Sequence, residues 1–158
     1  MKLTDFMVKE AIVPDLKATN REGVIRELLG ALAQAGAIKA GDVEAIGKVV
    51  LEREKQGSTG FGRGVAVPHA RHPAVSRRVA TIGHSAAGVD FAALDQAPVY
   101  SIVLLLSPTT NPDGHLQAME NIFRNLQQEM FRRFLRRAST RAEIIDLIEE
   151  ADQTGLAR

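Results

Sequence analysis

The chain has 158 residues, of which 45% are hydrophobic and 25% are charged, and this length suits one domain with a buried core. Basic residues exceed acidic residues by one, so no global basic field favours nucleic acid and no acidic excess favours disorder. The sequence contains no cysteine, which excludes disulfides, thiolate metal sites and a cysteine nucleophile.

The apolar stretches are too short to cross a membrane. Residues 1 to 6 lack the continuous apolar core of a signal peptide. The longest apolar run, residues 97 to 106, is interrupted by Pro98 and Ser101 and falls short of the roughly 20 residues that a spanning helix needs. We therefore expect a cytoplasmic protein with no membrane insertion.

Two amphipathic helices are predicted in the first third of the chain. Thr19 and Glu22 form a capping-box pattern, and apolar residues at helical spacing follow as far as Gly36. Asp42 can cap a second helix, and Gly57 is a natural C-terminal stop for it.

Three strands and a helical C-terminal third follow. Residues 65–68, 79–85 and 99–107 are typical of strands, and the last run is apolar enough to be covered on both faces. The helical pattern breaks near Gln128, and residues 140–143 can cap a last short helix. The apolar face of the C-terminal helices is predicted to comprise Leu116, Met119, Phe123, Leu126, Met130, Phe134 and Leu135. These elements indicate a single α/β domain but leave the strand order open.

The residues before His69 carry the strongest functional signal. His69 follows a short β-type run and a loop with glycines at 57, 60, 62 and 64, and Arg53 lies upstream. Imidazole is a good nucleophile near neutral pH, glycine lets backbone N–H groups approach a phosphate, and arginine can hold phosphate oxygens in a fork. Pro68 cannot donate a ladder hydrogen bond, so we expect the strand to end there. The stretch suits a histidine that carries a phosphoryl group.

The same glycines nearly imitate a nucleotide-binding P-loop. A P-loop has lysine and then serine or threonine after its second glycine, whereas Arg63 and Gly64 stand there. This loop also follows a predicted helix and enters a strand, which reverses the order of a P-loop. A flexible turn is the other alternative. Because Arg53 and His69 flank this loop, we favour a loop that lines a phosphate. The residues predicted to contact the phosphate are Thr59, Gly60 and Gly62.

The sequence resembles the enzyme IIA domains of the fructose/mannitol type from the bacterial phosphoenolpyruvate-dependent phosphotransferase system, and within them the nitrogen-regulatory branch. The matching segments come in the family's order: Leu51-Glu52-Arg53-Glu54, Val65-Ala66-Val67-Pro68-His69, Gly88-Val89-Asp90-Phe91, Leu104-Leu105-Leu106-Ser107-Pro108 and His115-Leu116. The resemblance implies one type-2 enzyme IIA domain over residues 2–152, with a mixed β-sheet sandwiched between helices. It also implies that His69 accepts the phosphoryl group in a shallow depression, that Arg53 binds phosphate and that His115 supports the acceptor.

The resemblance implies partners as well. The histidine phosphocarrier protein would donate the phosphoryl group, and a cytoplasmic regulatory target or an enzyme IIB domain would respond to it or receive it. Ala70 stands where the family often has glycine, which leaves the downstream partner open. We favour a regulator, with the IIA component of a fructose/mannitol-type sugar transporter as the alternative, because no IIB segment or membrane span accompanies this chain.

A different hypothesis is a histidine-based metal-binding module. His69 and His72 are three residues apart, and His84 and His115 could converge on them. We instead expect His72 in the loop after the site and His84 on a strand facing solvent. No cysteine or acidic cluster completes a ligand set, so we predict no metal and no cofactor.

A basic cluster late in the chain is predicted to be a solvated helix face. Its arginines fall into i,i+4 pairs, and no base-stacking aromatic residues interleave with them, so nucleic-acid binding is not expected. The cluster could dock an acidic partner, and its members are Arg124, Arg132, Arg133, Arg136 and Arg137.

Overall fold

A computed structural model describes residues 1–154 as a mixed β-sheet between two layers of helices. The helices are α1 (Arg21–Gln34), α2 (Val43–Gln56), α3 (Pro112–Leu126), α4 (Glu129–Arg137) and α5 (Arg141–Thr154). The strands are β1 (Gly60–Gly62), β2 (Val65–Ala66), β3 (His69–Arg71), β4 (Val79–Val89) and β5 (Val99–Ser107). Across the described part of the chain, no helix has the length and apolar character that membrane crossing requires.

Strand β5 is the centre of the sheet. β4 runs antiparallel along one side of it, from the pair of Val79 with Leu106 to the pair of Val89 with Val99. β2 and β3 lie one after the other along its other side, both parallel to β5, and β1 pairs antiparallel with β2. The predicted mixed sheet between helices is confirmed.

The side chains of β5 alternate between two hydrophobic cores. Ile102, Leu104 and Leu106 pack with the buried faces of α1 and α2, whereas Val103 and Leu105 pack with those of α3, α4 and α5. Each of these side chains is at most 3% exposed. Full burial of one such side chain contributes about 1.5–3 kcal/mol, which explains why a continuous apolar strand attracts helices to both faces.

The helix boundaries follow local capping chemistry, with one correction. α1 is capped by Asn20, whose side chain accepts a hydrogen bond from the Gly23 N–H at 2.7 Å, so the predicted cap at Thr19 is wrong by one residue. The predicted cap of α5 is confirmed, since Thr140 Oγ1 accepts from the Glu143 N–H at 3.2 Å. α5 has 14 residues and is longer than the short helix expected.

Two predictions about exposure are wrong. His84 is 8% exposed instead of facing solvent, because its ring nitrogens contact the carbonyl oxygens of Pro14 at 3.1 Å and Arg136 at 2.7 Å. In α4, Met130 and Phe134 are 52% and 48% exposed. Leu135 is buried as predicted, and Phe131 is the second buried side chain of α4.

Candidate functional site

The strand that carries His69 is interrupted by a proline. β2 ends at Ala66, and pairing with β5 resumes at His69, so the expected strand end at Pro68 is wrong. Proline removes one ladder donor, but the Pro68 carbonyl still accepts a hydrogen bond from the Leu105 N–H at 3.0 Å. This bond keeps His69 in register with the centre of the sheet.

The His69 ring is oriented by the backbone two residues upstream. Nδ1 lies 2.7 Å from the Val67 carbonyl oxygen. Because that oxygen can only accept, Nδ1 carries the hydrogen, and Nε2 of the neutral ring keeps its lone pair. Burial lowers the pKa of His69, the bond to Val67 opposes this effect, and the nearby Arg53 charge lowers the pKa further. The ring is therefore a neutral nucleophile at neutral pH.

His115 lies beside this ring, in the first turn of α3. Asn111 caps the helix by accepting a hydrogen bond from the Gly114 N–H at 3.1 Å. The centroids of the His69 and His115 rings are 5.7 Å apart. Burial, together with the nearby His69 and Arg71, lowers the pKa of His115 to about 4. Both histidines are thus neutral at physiological pH.

Ser107, at the end of β5, sets the tautomer of His115. Its Oγ lies 2.6 Å from His115 Nδ1 and 3.2 Å from Arg78 Nε. Arg78 can only donate to this oxygen, so the hydroxyl hydrogen is free to bond Nδ1 of His115, and in that arrangement the ring hydrogen lies on Nε2. His115 presents an N–H donor, whereas His69 presents a lone pair.

Ser107 and Arg78 belong to the site although the sequence did not predict a role for either. The signal for Ser107 is its place at the carboxyl end of a buried strand, where the parallel register pairs it with Arg71, two residues after His69. For Arg78 the sequence gives no such signal, because its contact with Ser107 spans 29 residues.

Arg53 lines the same depression as the two histidines, as predicted. It lies on the last turn of α2, and its Nη1 donates to the Gly57 carbonyl oxygen at 2.7 Å, which leaves its other N–H groups for a ligand. An open depression of about 700 Å³ contains all three side chains, and it is lined by Val49, Arg53, His69, Ala70, Arg71, Thr109, Pro112, His115 and Leu116. The guanidinium groups of Arg53 and Arg71 make this depression favourable for an anion.

The glycine loop takes a different place from the one expected. Gly60 and Gly62 belong to β1, and Thr59 donates both its hydroxyl and its N–H to the buried carboxylate of Glu54. Within residues 1–154, the depression that His69 lines with Arg53 and His115 does not include Thr59, Gly60 or Gly62. The Thr59 carbonyl accepts a hydrogen bond from the Val67 N–H at 3.4 Å, so the loop is bonded to the backbone that leads to His69.

An apolar surface continues from His69 along α3. A second depression, of about 570 Å³, is lined by both histidines and by Leu116, Met119, Glu120, Phe123, Arg124 and Gln127. Leu116 is 57% exposed, so its predicted place in the core is wrong. Leu126 is buried as predicted, and the other buried apolar side chains of α3 are Ala118 and Ile122. Exposed apolar side chains beside a polar site are typical of a protein-docking surface.

The other two histidines lie outside this constellation. His72 Nδ1 accepts a hydrogen bond from the Ala74 N–H at 3.0 Å, in the loop after β3 as expected. His84 is buried between two backbone carbonyls, and so it does not converge with His69. Among residues 1–154, no group of three or more His, Cys, Asp or Glu side chains could hold a metal ion.

Comparison with known proteins gives consistent matches over almost the whole chain. The family described as "Phosphoenolpyruvate-dependent sugar phosphotransferase system, EIIA 2" matches residues 5–151. A nitrogen regulatory protein of Bradyrhizobium diazoefficiens is 34% identical over 92% of this chain and 92% of its own length. The fructose-specific EIIABC component of Bacillus subtilis is 33% identical over 97% of this chain, which spans 24% of that protein's length.

Solved structures agree with these matches. The nitrogen regulatory protein IIA-Ntr of Neisseria meningitidis is 28% identical, with a TM-score of 0.81 over 91% of this chain and 97% of its own. Enzyme IIA of the Escherichia coli mannitol system, solved in complex with phosphorylated enzyme IIB, shares the fold, with 20% identity and a TM-score of 0.75 over 89% of this chain and 95% of its own. The chain thus belongs to the EIIA 2 family of the phosphoenolpyruvate-dependent sugar phosphotransferase system.

Proposed function

We propose that this protein is a histidine phosphoryl carrier whose acceptor atom is Nε2 of His69 and whose donor is the histidine phosphocarrier protein. One observation carries the proposal. The hydrogen bond of His69 Nδ1 to the Val67 carbonyl leaves Nε2 with a free lone pair in a depression shared with Arg53 and His115. A neutral, oriented imidazole beside anion-binding groups is the arrangement that phosphoryl transfer needs.

In the proposed step, the lone pair of His69 Nε2 forms a bond to phosphorus while the bond from phosphorus to the donor histidine breaks. The electron pair of the broken bond returns to the donor ring nitrogen, so the transfer itself moves no proton between the proteins. Negative charge is spread over three equatorial oxygens during transfer. The Arg53 guanidinium and the His115 Nε2–H group stabilise that charge by hydrogen bonding.

We further propose that the donor docks on the apolar surface along α3. Leu116 projects beside the two histidines, and Phe123 packs against Phe61 with ring centroids 5.1 Å apart. A partner that covers this surface would exclude water from the phosphoryl group as it passes. The shared fold with an enzyme IIA solved in complex with its phosphorylated IIB partner supports docking of a protein on this chain.

We propose that the output of the protein is regulatory, through a cytoplasmic target. The similarity to nitrogen regulatory proteins over nearly their whole length supports this role. Phosphorylation would add a charge of about −2 beside an apolar docking surface, which changes the affinity of that surface for a partner. Transfer to an enzyme IIB domain in sugar uptake is the second candidate, because the fructose-specific relative matches 97% of the chain.

Reconstitution tests the acceptor. The protein is mixed with phosphoenolpyruvate, enzyme I and the phosphocarrier, and its intact mass is measured. We expect one added phosphoryl group that is labile to acid, absent from His69→Ala and retained in His72→Ala, which alters a histidine outside the depression. Full labelling of His69→Ala would refute the assignment.

A capture experiment separates the two outputs. Phosphorylated wild type and His69→Ala serve as baits in lysate of the native cell, and transfer from the phosphorylated protein to sugar-specific IIB domains is measured in parallel. A regulator retains a target in one state more than in the other. Rapid transfer to a IIB domain without any state-dependent target would favour the transport role.

A further inference from the structure

A third depression, separate from the two depressions that His69 lines, lies where α4 crosses the start of β5. It has a volume of about 440 Å³ and is lined by Arg63, Gly64, Val65, Ser101, Glu129, Arg132, Arg133, Arg136 and Arg137. On β5, Ser101 precedes Leu105, the register partner of His69, by four residues, which corresponds to about 13 Å along the strand. Among the described residues, the third depression shares no lining residue with either depression that His69 lines.

The lining concentrates positive charge. Five guanidinium groups face this space with a single carboxylate, that of Glu129. The arginines of α4 lie on a largely exposed helix face, as expected, and all four of them line this depression together with Arg63 from the turn between β1 and β2. Arginines from two separate elements converge on one concavity.

Several of these side chains are held in place. Arg132 Nη1 donates to the Leu126 carbonyl oxygen at 2.8 Å. The Arg136 guanidinium stacks on the Tyr100 ring, with its Cζ 3.7 Å from the ring centroid. Arg133 pairs at 3.2 Å with Glu129, the one carboxylate in the lining. A ligand would therefore meet a partly ordered array of cations, which lowers the entropy that binding costs.

The fifth arginine occupies an unfavourable backbone position. Arg63 and Gly64 form a two-residue hairpin turn with φ values of 61° and 79°. Turns of this kind prefer asparagine or aspartate followed by glycine, because most L residues resist a positive φ. The N–H of Arg63 donates to Asp95 Oδ2 at 3.1 Å, which holds the turn. Arg63 thus keeps a backbone conformation that costs free energy, and its side chain lines the same depression as the four arginines of α4.

We propose that this depression binds a compact ligand that carries two or more phosphate groups. Guanidinium forks match phosphate oxygens in geometry and charge, and several forks favour several phosphates over one. The volume lies in the range of small-ligand sites. An extended acidic peptide would need charges spread along a surface, whereas these converge. The site is independent of phosphoryl transfer at His69.

Calorimetric titration at about 0.1 M salt tests the proposal with four probes: tripolyphosphate, pyrophosphate, inorganic phosphate and a hexaglutamate peptide. We expect one tripolyphosphate per chain, bound at least about tenfold more tightly than inorganic phosphate or the peptide, with affinity falling as salt rises. No binding of the polyphosphates, or equal affinity for all four probes, would overturn the proposal. Tighter binding of the peptide would assign the surface to an acidic protein instead.

Variants locate the binding. Arg137→Gln and Arg133→Gln should each weaken tripolyphosphate binding by about tenfold, as expected for loss of a charge-assisted contact. Arg63→Asn should weaken it while leaving the melting temperature equal or higher, because asparagine tolerates the positive φ. Arg53→Gln and the exposed Arg77→Gln remove the same charge elsewhere and should stay within about twofold of wild type. A loss confined to Arg53→Gln would place the ligand at His69 and refute this site.

Discussion

Acidification should destabilise the protein through His115. Burial, with His69 and Arg71 nearby, lowers the pKa of His115 from 6.5 to about 4 in the folded state. The unfolded chain therefore binds more protons than the folded chain between these values, and the free energy of unfolding rises with pH across that window. The contribution of neutral His115 to the free energy of unfolding is fully present above about pH 6.5 and is lost as the pH falls toward 4.

The magnitude follows from the two pKa values. Full linkage between 6.5 and about 4 would amount to about 3 kcal/mol. The ring is partly exposed, so solvent screening reduces this figure, and at pH 5 part of the loss is still to come. We expect His115 to cost about 1 kcal/mol of unfolding free energy between pH 7 and pH 5.

Urea unfolding of wild type and His115→Gln at both pH values measures this contribution. Glutamine does not titrate and can still contact the Ser107 hydroxyl, so the difference in unfolding free energy between the two proteins should shift by about 1 kcal/mol in favour of the variant at pH 5. Identical pH dependence in the two proteins would show that the folded environment does not disfavour charged His115.

Three further substitutions test the site. Arg53→Lys keeps the charge but loses the fork, so phosphoryl transfer in rapid-quench assays should slow by about tenfold to a hundredfold, and a wild-type rate would make Arg53 structural. Ser107→Ala and Arg78→Gln should each move hydrogen from Nε2 toward Nδ1 of His115, seen in its ¹⁵N chemical shifts, and unchanged shifts would refute the tautomer assignment. Leu116→Ser, which adds no charge beside the histidines, should raise the apparent KM for the phosphocarrier by about tenfold while His69 is still phosphorylated, and an unchanged KM would move docking away from α3.

Local pattern was enough for much of the fold and for the core of the site. The continuous apolar run of β5 predicted a strand covered on both faces, and Asp42 and Gly57 stand at the ends of α2 as expected, although the Asp42 side chain makes no capping hydrogen bond. Arg53 and His69 flank one loop, so their proximity follows from the order of the elements. His115 could be placed beside them only through family resemblance.

The remaining features depend on contacts between distant segments. His84 is buried because the N-terminal segment and α4 both close over β4, and its partners Pro14 and Arg136 lie 70 and 52 residues away. Nothing in the sequence indicates that the Thr59 hydroxyl has a partner inside the protein. The fold buries Glu54 beside it, and Thr59 donates to Glu54 because a buried carboxylate needs hydrogen-bond donors. Such pairings have no local pattern from which they could be predicted.

Heteronuclear NMR of the phosphorylated protein, with ¹⁵N-labelled histidine, tests most directly whether Nε2 of His69 is the acceptor. The hydrogen bond of Nδ1 to the Val67 carbonyl predicts ³¹P coupling to Nε2 of His69, with Nδ1 still protonated. Coupling to Nδ1, or to a nitrogen of His115 or His72, would contradict the proposed mechanism.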